Sequence, residues 1–369
     1  MTRRARAGIA RTHPYNLARA GKLCAAASLL AFLAVLLAWN TARALNVYQD
    51  FFVTLSARPL AMGGAAAALS GPEAVFYNPA GLAPLRVFRL LYNHSARHFP
   101  GSRQGGQREW DQLDGDSEAI VVPLPLSTYA HGFTLSGEMG YDYSGHPADG
   151  HLGYPREHYS GTESYDALAA NLGLPCAAGI ALRRQVGCFT PAPGADTPPW
   201  IRIGEGTQWG VLTRVWPGVD YGLSRLRMDY DWTVLDPAAS AAHKGTLPGF
   251  SSRLTLARSG LAFHPAAWLT LTRDSTRETY RIEDQNYLGS IHMGSGTVSR
   301  DFAGGELALG ALAKLRWGDY DGHPTCGLAF NLGGMWLNYA EVKGLLPQIV
   351  DSGKGMEDVH IYGFDLPLW

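Results

Sequence analysis

"RLRMDYDWTV", Arg225 to Val234, alternates without a break: Leu226, Met228, Tyr230, Trp232 and Val234 are apolar, whereas Arg225, Arg227, Asp229, Asp231 and Thr233 are polar. Successive side chains of a strand point to opposite faces, so strict period two predicts a β-strand with one greasy and one charged face. "FTLSGEMGYDY", Phe133 to Tyr143, repeats the pattern, with Phe133, Leu135, Met139, Tyr141 and Tyr143 set against Thr134, Ser136, Glu138 and Asp142. In a soluble sandwich the apolar face points inward; in a membrane barrel it points to lipid and the charged face lines the lumen. Periodicity alone leaves both open. On the barrel reading, Glu138, Asp142, Arg225, Arg227, Asp229 and Asp231 are lumen charges.

Connection lengths favour the barrel. Strands are predicted near 86–97, 117–126, 131–143, 162–173, 178–189, 205–216, 219–235, 250–264, 268–280, 302–317, 325–341 and 357–368. The segments between them alternate long and short, from the long 98–116 and the short Ser127–Ala130 to the very short Pro217-Gly218 and the long 342–356. Outer-membrane barrels pair short periplasmic turns with long outer loops and have an even strand count, whereas a sandwich has no reason to keep that rhythm. The expectation is all-β: a transmembrane antiparallel β-barrel of about twelve strands over residues 86–369, with both termini periplasmic. Trp216, Trp268, Trp317 and Trp369 then fall at periplasmic strand ends, where an amphipathic ring suits the membrane interface.

The N-terminus carries Arg3, Arg4, Arg6, Arg11, Arg19 and Lys22 ahead of an apolar run from Leu23 to Ala38, followed by Ala42-Arg43-Ala44. A bilayer-spanning helix prefers about 20 apolar residues, and this run is shorter. Residues 1–44 therefore read as a signal peptide with an A-x-A cleavage site, an uncleaved anchor being the alternative. The whole chain has 31 Lys+Arg and 32 Asp+Glu; the leader takes seven basic residues and no acid, leaving 24 against 32 and a net charge of −8. That balance argues against a nucleic-acid partner. Cys176, Cys188 and Cys326 remain, an odd number without zinc-like spacing, with a Cys176–Cys188 pair across a hairpin left open.

Between the leader and the first strand stands "SARPLAMGGAAAALSGPEAVFYNPAGLAPL", Ser56 to Leu85, with Glu73 its one acid. The residues Ala57-Arg58-Pro59-Leu60-Ala61-Met62-Gly63-Gly64-Ala65, then Glu73-Ala74, then Tyr77-Asn78-Pro79-Ala80-Gly81-Leu82-Ala83 resemble the N-terminal signature of the FadL-like superfamily of outer-membrane barrels. "RLTLARSGLAFHPAAWLTLTRD", Arg253 to Asp274, is similar to a hairpin common in that group. The superfamily includes long-chain fatty-acid transporters, aromatic-hydrocarbon uptake proteins and PorV-type secretion proteins. Its fatty-acid transporters have fourteen strands, the alternative to the twelve counted here.

The resemblance implies that residues 45–85 form a hatch, or plug, inside the barrel. Small residues suit this because a lumen filled by backbone requires close approach, and irregular backbone at membrane depth is tolerated only inside protein or a wet cavity. It also implies hatch and ligand-contact roles for Arg58, Met62, Gly63, Gly64, Phe76, Tyr77, Asn78, Pro79, Ala80 and Gly81. Phe76 and Tyr77 are placed as anchors on the wall, and Asn78-Pro79 as a turn starter.

No G-x-S-x-G, H-E-x-x-H or P-loop occurs, so no catalytic residue, metal ligand or cofactor is assigned. His146, His151 and His158 read as a solvated loop rather than a metal site. The closing "VHIYGFDLPLW" resembles the C-terminal signal that barrel-assembly machinery recognises. The function expected is passive uptake of a hydrophobic small molecule, a fatty acid or hydrocarbon, across the outer membrane of a Gram-negative bacterium. A secretion accessory barrel and a structural outer-membrane protein are the alternatives.

Overall fold

The computed structural model describes residues 56–98, 112–136, 158–190, 200–234, 251–282, 296–347 and 356–368. The leader 1–44, the hatch residues 45–55, Glu138, Asp142, His146, His151 and Trp369 lie outside the described residues.

Fourteen strands follow in chain order: β1 Phe88–His98, β2 Gln112–Pro123, β3 Ser127–Ser136, β4 His158–Leu174, β5 Cys176–Thr190, β6 Trp200–Trp216, β7 Val219–Val234, β8 Ser251–Ala266, β9 Leu269–Ile282, β10 Gly296–Leu309, β11 Ala313–Tyr320, β12 His323–Leu332, β13 Met335–Pro347 and β14 Met356–Leu368. Each pairs antiparallel with its chain neighbours. β1 also pairs with β14, Phe88 opposite Leu368 and His98 opposite Asp358, which closes the ring.

The count of twelve was short by two. Residues 302–317 and 325–341 were each read as one strand, but Gly310 to Leu312 turns the chain between β10 and β11, and Gly333-Gly334 turns it between β12 and β13. Gly310, Gly333 and Gly334 take φ of 64°, 63° and 103°, a region open to glycine. The first turn is so short that period two runs through it, from Leu307 and Leu309 to Leu315 and Trp317, whereas the second changes phase at Gly333-Gly334, a turn dipeptide set inside an apolar run. Trp317 consequently sits inside β11 and not at a strand end, while Trp216 and Trp268 do mark the short-turn end, both well exposed.

The alternation of connections holds for all but one hairpin. On the side of the chain ends, one to three residues join the strands; on the other, six connections span 8 to 21 residues. The exception is β11–β12, joined on the long side by Asp321-Gly322 with φ of 52° and 95°. Positive φ at both central residues is what a two-residue hairpin turn demands. Cys176 and Cys188 both lie on β5, near its two ends, and are free thiols. A strand rises roughly 3.3 Å per residue, which keeps them far beyond disulfide reach.

Residues before β1 pack against the inner faces of the strands. Ser224 donates from Oγ to the Tyr77 carbonyl at 2.8 Å, and a Cβ on Gly222 would overlap the Ala67 carbonyl, so the even-numbered residues of β7 point inward. Leu226, Met228, Tyr230 and Trp232 are accordingly buried, and Arg225, Arg227, Asp229 and Asp231 are exposed on the outside. The four charges assigned to the lumen are therefore on the outer surface. The reason is packing: the inner face of β7 meets Tyr77, Ala67 and the inner faces of β8 and β9 and takes the bulky side chains as a core does, while the outer wall beyond the lipid-facing band meets water and carries charge.

Large apolar groups on the outer wall, including Ile120, Phe133, Leu168, Ile180, Trp209, Leu315, Phe330 and Leu337, are exposed around the ring. Such a band is the lipid-facing surface of a spanning barrel. With every strand paired and no edge left for attack, the folded protein is expected to resist cold SDS. Samples run with and without boiling should migrate differently; identical migration, with recovery in the soluble fraction, would count against the closed barrel.

Candidate functional site

The inner segment contains a five-residue helix, Ala57–Ala61, a second helical turn, Ala74–Tyr77, and a 3-10 turn, Pro79–Leu82. Asn78 starts the last of these: its Oδ1 accepts from Ala80 N at 3.2 Å while its Nδ2 donates to the carbonyls of Ala67 at 2.6 Å and Val211 at 3.2 Å. One amide thus caps a turn, ties two arms of the segment together and fastens both to β6. The neighbouring Pro79-Ala80 backbone presses on Gly179, leaving no room there for a Cβ. Gly81 supports the bend by close approach to the Leu69 carbonyl.

Further ties come from the wall. Asp274 on β9 accepts from the backbone N–H groups of Ala66 and Ala67, both at 2.6 Å to one oxygen, with the Arg258 guanidinium 3.9 Å away. Arg258 also donates to the Gly64 carbonyl at 3.1 Å and lies over the rings of Tyr77 and Phe302. Gly63 donates to Thr325 Oγ1 at 3.1 Å, and that hydroxyl donates on to the Ala61 carbonyl. Gly63 and Gly64 take φ of 68° and 81°, which side chains rarely adopt.

Arg58 is an ionic latch. Its Nη1 donates to the Ser70 carbonyl at 2.8 Å and to Glu73 at 2.9 Å, and its Nε donates to Glu306 of β10 at 3.2 Å. Glu306 is shared with Arg316 at 2.8 Å and Lys314 at 3.4 Å. Leaving any one of these charges without its partners at such depth is costly, so they hold as a unit.

Phe76 sits edge-on to Tyr165 at 5.0 Å between ring centroids, and the Tyr165 hydroxyl donates to Glu163, which pairs with Arg183. The Tyr77 carbonyl receives Gln208 at 2.6 Å and Ser224 at 2.8 Å. Met62, Phe76 and Tyr77 share one buried apolar cluster and anchor the segment.

Towards the long-loop end, β7 to β9 present a second apolar surface to the interior. Leu226, Met228, Tyr230 and Trp232 pack together, with Leu254, Leu256 and Tyr280 against them. Arg202 lies over the Tyr230 and Trp232 rings, 5.0 and 5.1 Å from their centroids, and the Trp232 indole N–H donates to Ser252. An aromatic wall carrying a few fixed polar groups is the usual make-up of a site for an apolar ligand. Among the described residues, no group of three or more His, Cys, Asp or Glu side chains gathers as a metal site would require.

No family profile and no curated protein sequence matches this chain. Solved structures do. The Pseudomonas putida toluene transporter TodX superposes with a TM-score of 0.61 at 10% identity, covering 86% of this chain and 99% of its own. The Ralstonia pickettii toluene transporter TbuX gives 0.58 at 13%, with 86% and 99% covered. The chain shares the fold of these barrels. A Pseudomonas aeruginosa FadL homologue is similar at a TM-score of 0.50 and 12% identity, over 84% of this chain and 97% of its own. With so few residues shared, the likeness is one of fold.

Within this barrel, residues 56–85 contact the inner faces of the strands, and Arg58, Met62, Gly63, Gly64, Phe76, Tyr77, Asn78, Pro79, Ala80 and Gly81 belong to that segment. The wall partners Asp274, Arg258, Glu306, Gln208 and Thr325 were missed. Asp274 stands in an unbroken polar run from Thr272 to Glu278, and nothing local shows that it meets a backbone amide 208 residues earlier.

Proposed function

We propose that this chain is a non-enzymatic outer-membrane barrel for passive uptake of hydrophobic small molecules, of the class of long-chain fatty acids or hydrocarbons. The observation that carries the reading is the interior apolar wall of Leu226, Met228, Tyr230 and Trp232, lying beyond an inner segment that is itself rich in Ala and carries Met62, Phe76 and Tyr77. The superposable structures, toluene transporters among them, support the same class.

In this reading the short turns and both chain ends face the periplasm, the long loops face outward, and residues 45–85 plug the lumen. A ligand entering from outside meets the aromatic wall first and the buried Met62, Phe76 and Tyr77 cluster next. The latches of Arg58 and Asp274 hold the plug shut until it shifts.

Purified, folded protein is expected to bind labelled palmitate or toluene saturably. Met228→Asp puts a charge on the aromatic wall and should weaken that binding at least tenfold, about 1.4 kcal/mol. A deletion strain should grow poorly on the ligand as carbon source. Absence of saturable binding to both probes, with loss of surface-anchored proteins on deletion, would transfer the barrel to a secretion accessory role.

A further inference from the structure

We infer that the outward face of β7–β9 is a docking surface for the phosphorylated headgroup of an anionic membrane glycolipid. Register puts Arg225, Ala257 and Arg277 on one rung of the outer wall. Strands lie about 4.8 Å apart, so the two arginines flank the small Ala257 roughly 10 Å from each other. The next rung carries Arg227 with Thr255 and Thr279, and the one beyond it Asp229 with Arg253 and Arg281.

Five arginines therefore face out against Asp229 and Asp231. Asp229 is already engaged by both Arg227 and Arg253. Arg225, Arg277 and Arg281 are exposed and make no ion pair among the described residues. No lysine contributes, and arginine is the side chain whose planar fork matches phosphate oxygens two at a time.

The position along the strands selects a lipid. Below the grid, toward the short turns, come a rung of Leu223 with Ser259 and Ser275, then Leu261 between Tyr221 and Arg273, and then Phe263 between Val219 and Leu271. Acyl chains fit the lower zone and a phosphorylated headgroup the upper one; a free anion would use only the second. The charge is also local. On β1–β4 the outward ionisable groups among the described residues are His94 with Asp116, Glu118, and His131 with Asp166, an acidic and imidazole-bearing surface. Basic groups gathered on one arc, at the upper margin of the lipid band, mark a site for a particular headgroup.

The inference rests on the membrane placement and not on transport, and the boiling shift of the wild type tests that placement separately. The full folded chain in micelles is incubated with diphosphoryl lipid A, passed through size exclusion and assayed for retained phosphorus. Wild type should retain at least fivefold more than R225S/R277S, and R225K/R277K should keep at least half of the wild-type amount. K343S, which removes an exposed cation paired with Glu341 on β13, away from the grid, should match wild type. Should R225S/R277S lose its boiling shift, R277S alone is read, with at least a twofold loss expected. Equal retention by a folded serine variant, wild-type retention of dephosphorylated lipid A, or displacement of the lipid by millimolar inorganic phosphate would each overturn the assignment.

Discussion

Deleting residues 56–84 is expected to raise single-channel conductance in planar bilayers several-fold and to make cells sensitive to large antibiotics. The strands pair with one another all the way round, so the wall does not depend on the inner segment for its backbone hydrogen bonds. What the deletion removes is the filling of the interior: the helix Ala57–Ala61 against β11–β14, the Pro79–Leu82 turn against β4–β6, and the apolar cluster around Met62 and Phe76. Inward glycines such as Gly179, Gly210 and Gly222, which exist to let that backbone come close, then face empty space. A boiling shift that persists together with unchanged conductance would show that the segment plugs nothing.

Asp274→Ala is expected to unlatch the segment without removing it. Two backbone amides, Ala66 and Ala67, lose their acceptor, and Arg258 loses its nearby carboxylate while keeping the Gly64 carbonyl and the Tyr77 ring. Stripping one partner from a buried charged network costs on the order of 3–5 kcal/mol. The change falls on the contact between segment and wall, so its visible result is intermittent openings in bilayer recordings of a barrel that still shows its boiling shift. Asp274→Asn, which keeps one carbonyl acceptor for the amides, should open less often. A closed record for Asp274→Ala would place the holding energy elsewhere, at Arg58 and Glu306.

Much of the architecture was legible in one dimension because a barrel wall is built from local rules. Strand after strand shows period two, the connections alternate in length, and the segment 56–85 stands out by its small residues. Each of these is read from consecutive residues alone. The two missed turns mark the limit of that approach: Gly310 and Ala311 reverse the chain between Leu309 and Leu312 with little turn composition, and Gly333-Gly334, a turn dipeptide, stands inside an apolar run.

Other features depend on chain brought together from far away. Alternation along Arg225 to Val234 says that two faces differ, and the charges were placed inside because lipid was taken as the apolar partner. Which face meets lipid depends on what the inner faces pack against and on how far along the strand the lipid band reaches; Leu254, Leu256 and Tyr280 of the neighbouring strands pack on Met228, Tyr230 and Trp232 on the inner side. The latches are equally nonlocal. Arg58 meets Glu306 across 248 residues and Ala66 meets Asp274 across 208. A buried charge or amide reveals its partner only after closure of the ring has excluded water, because until then water satisfies both groups and neither constrains the other.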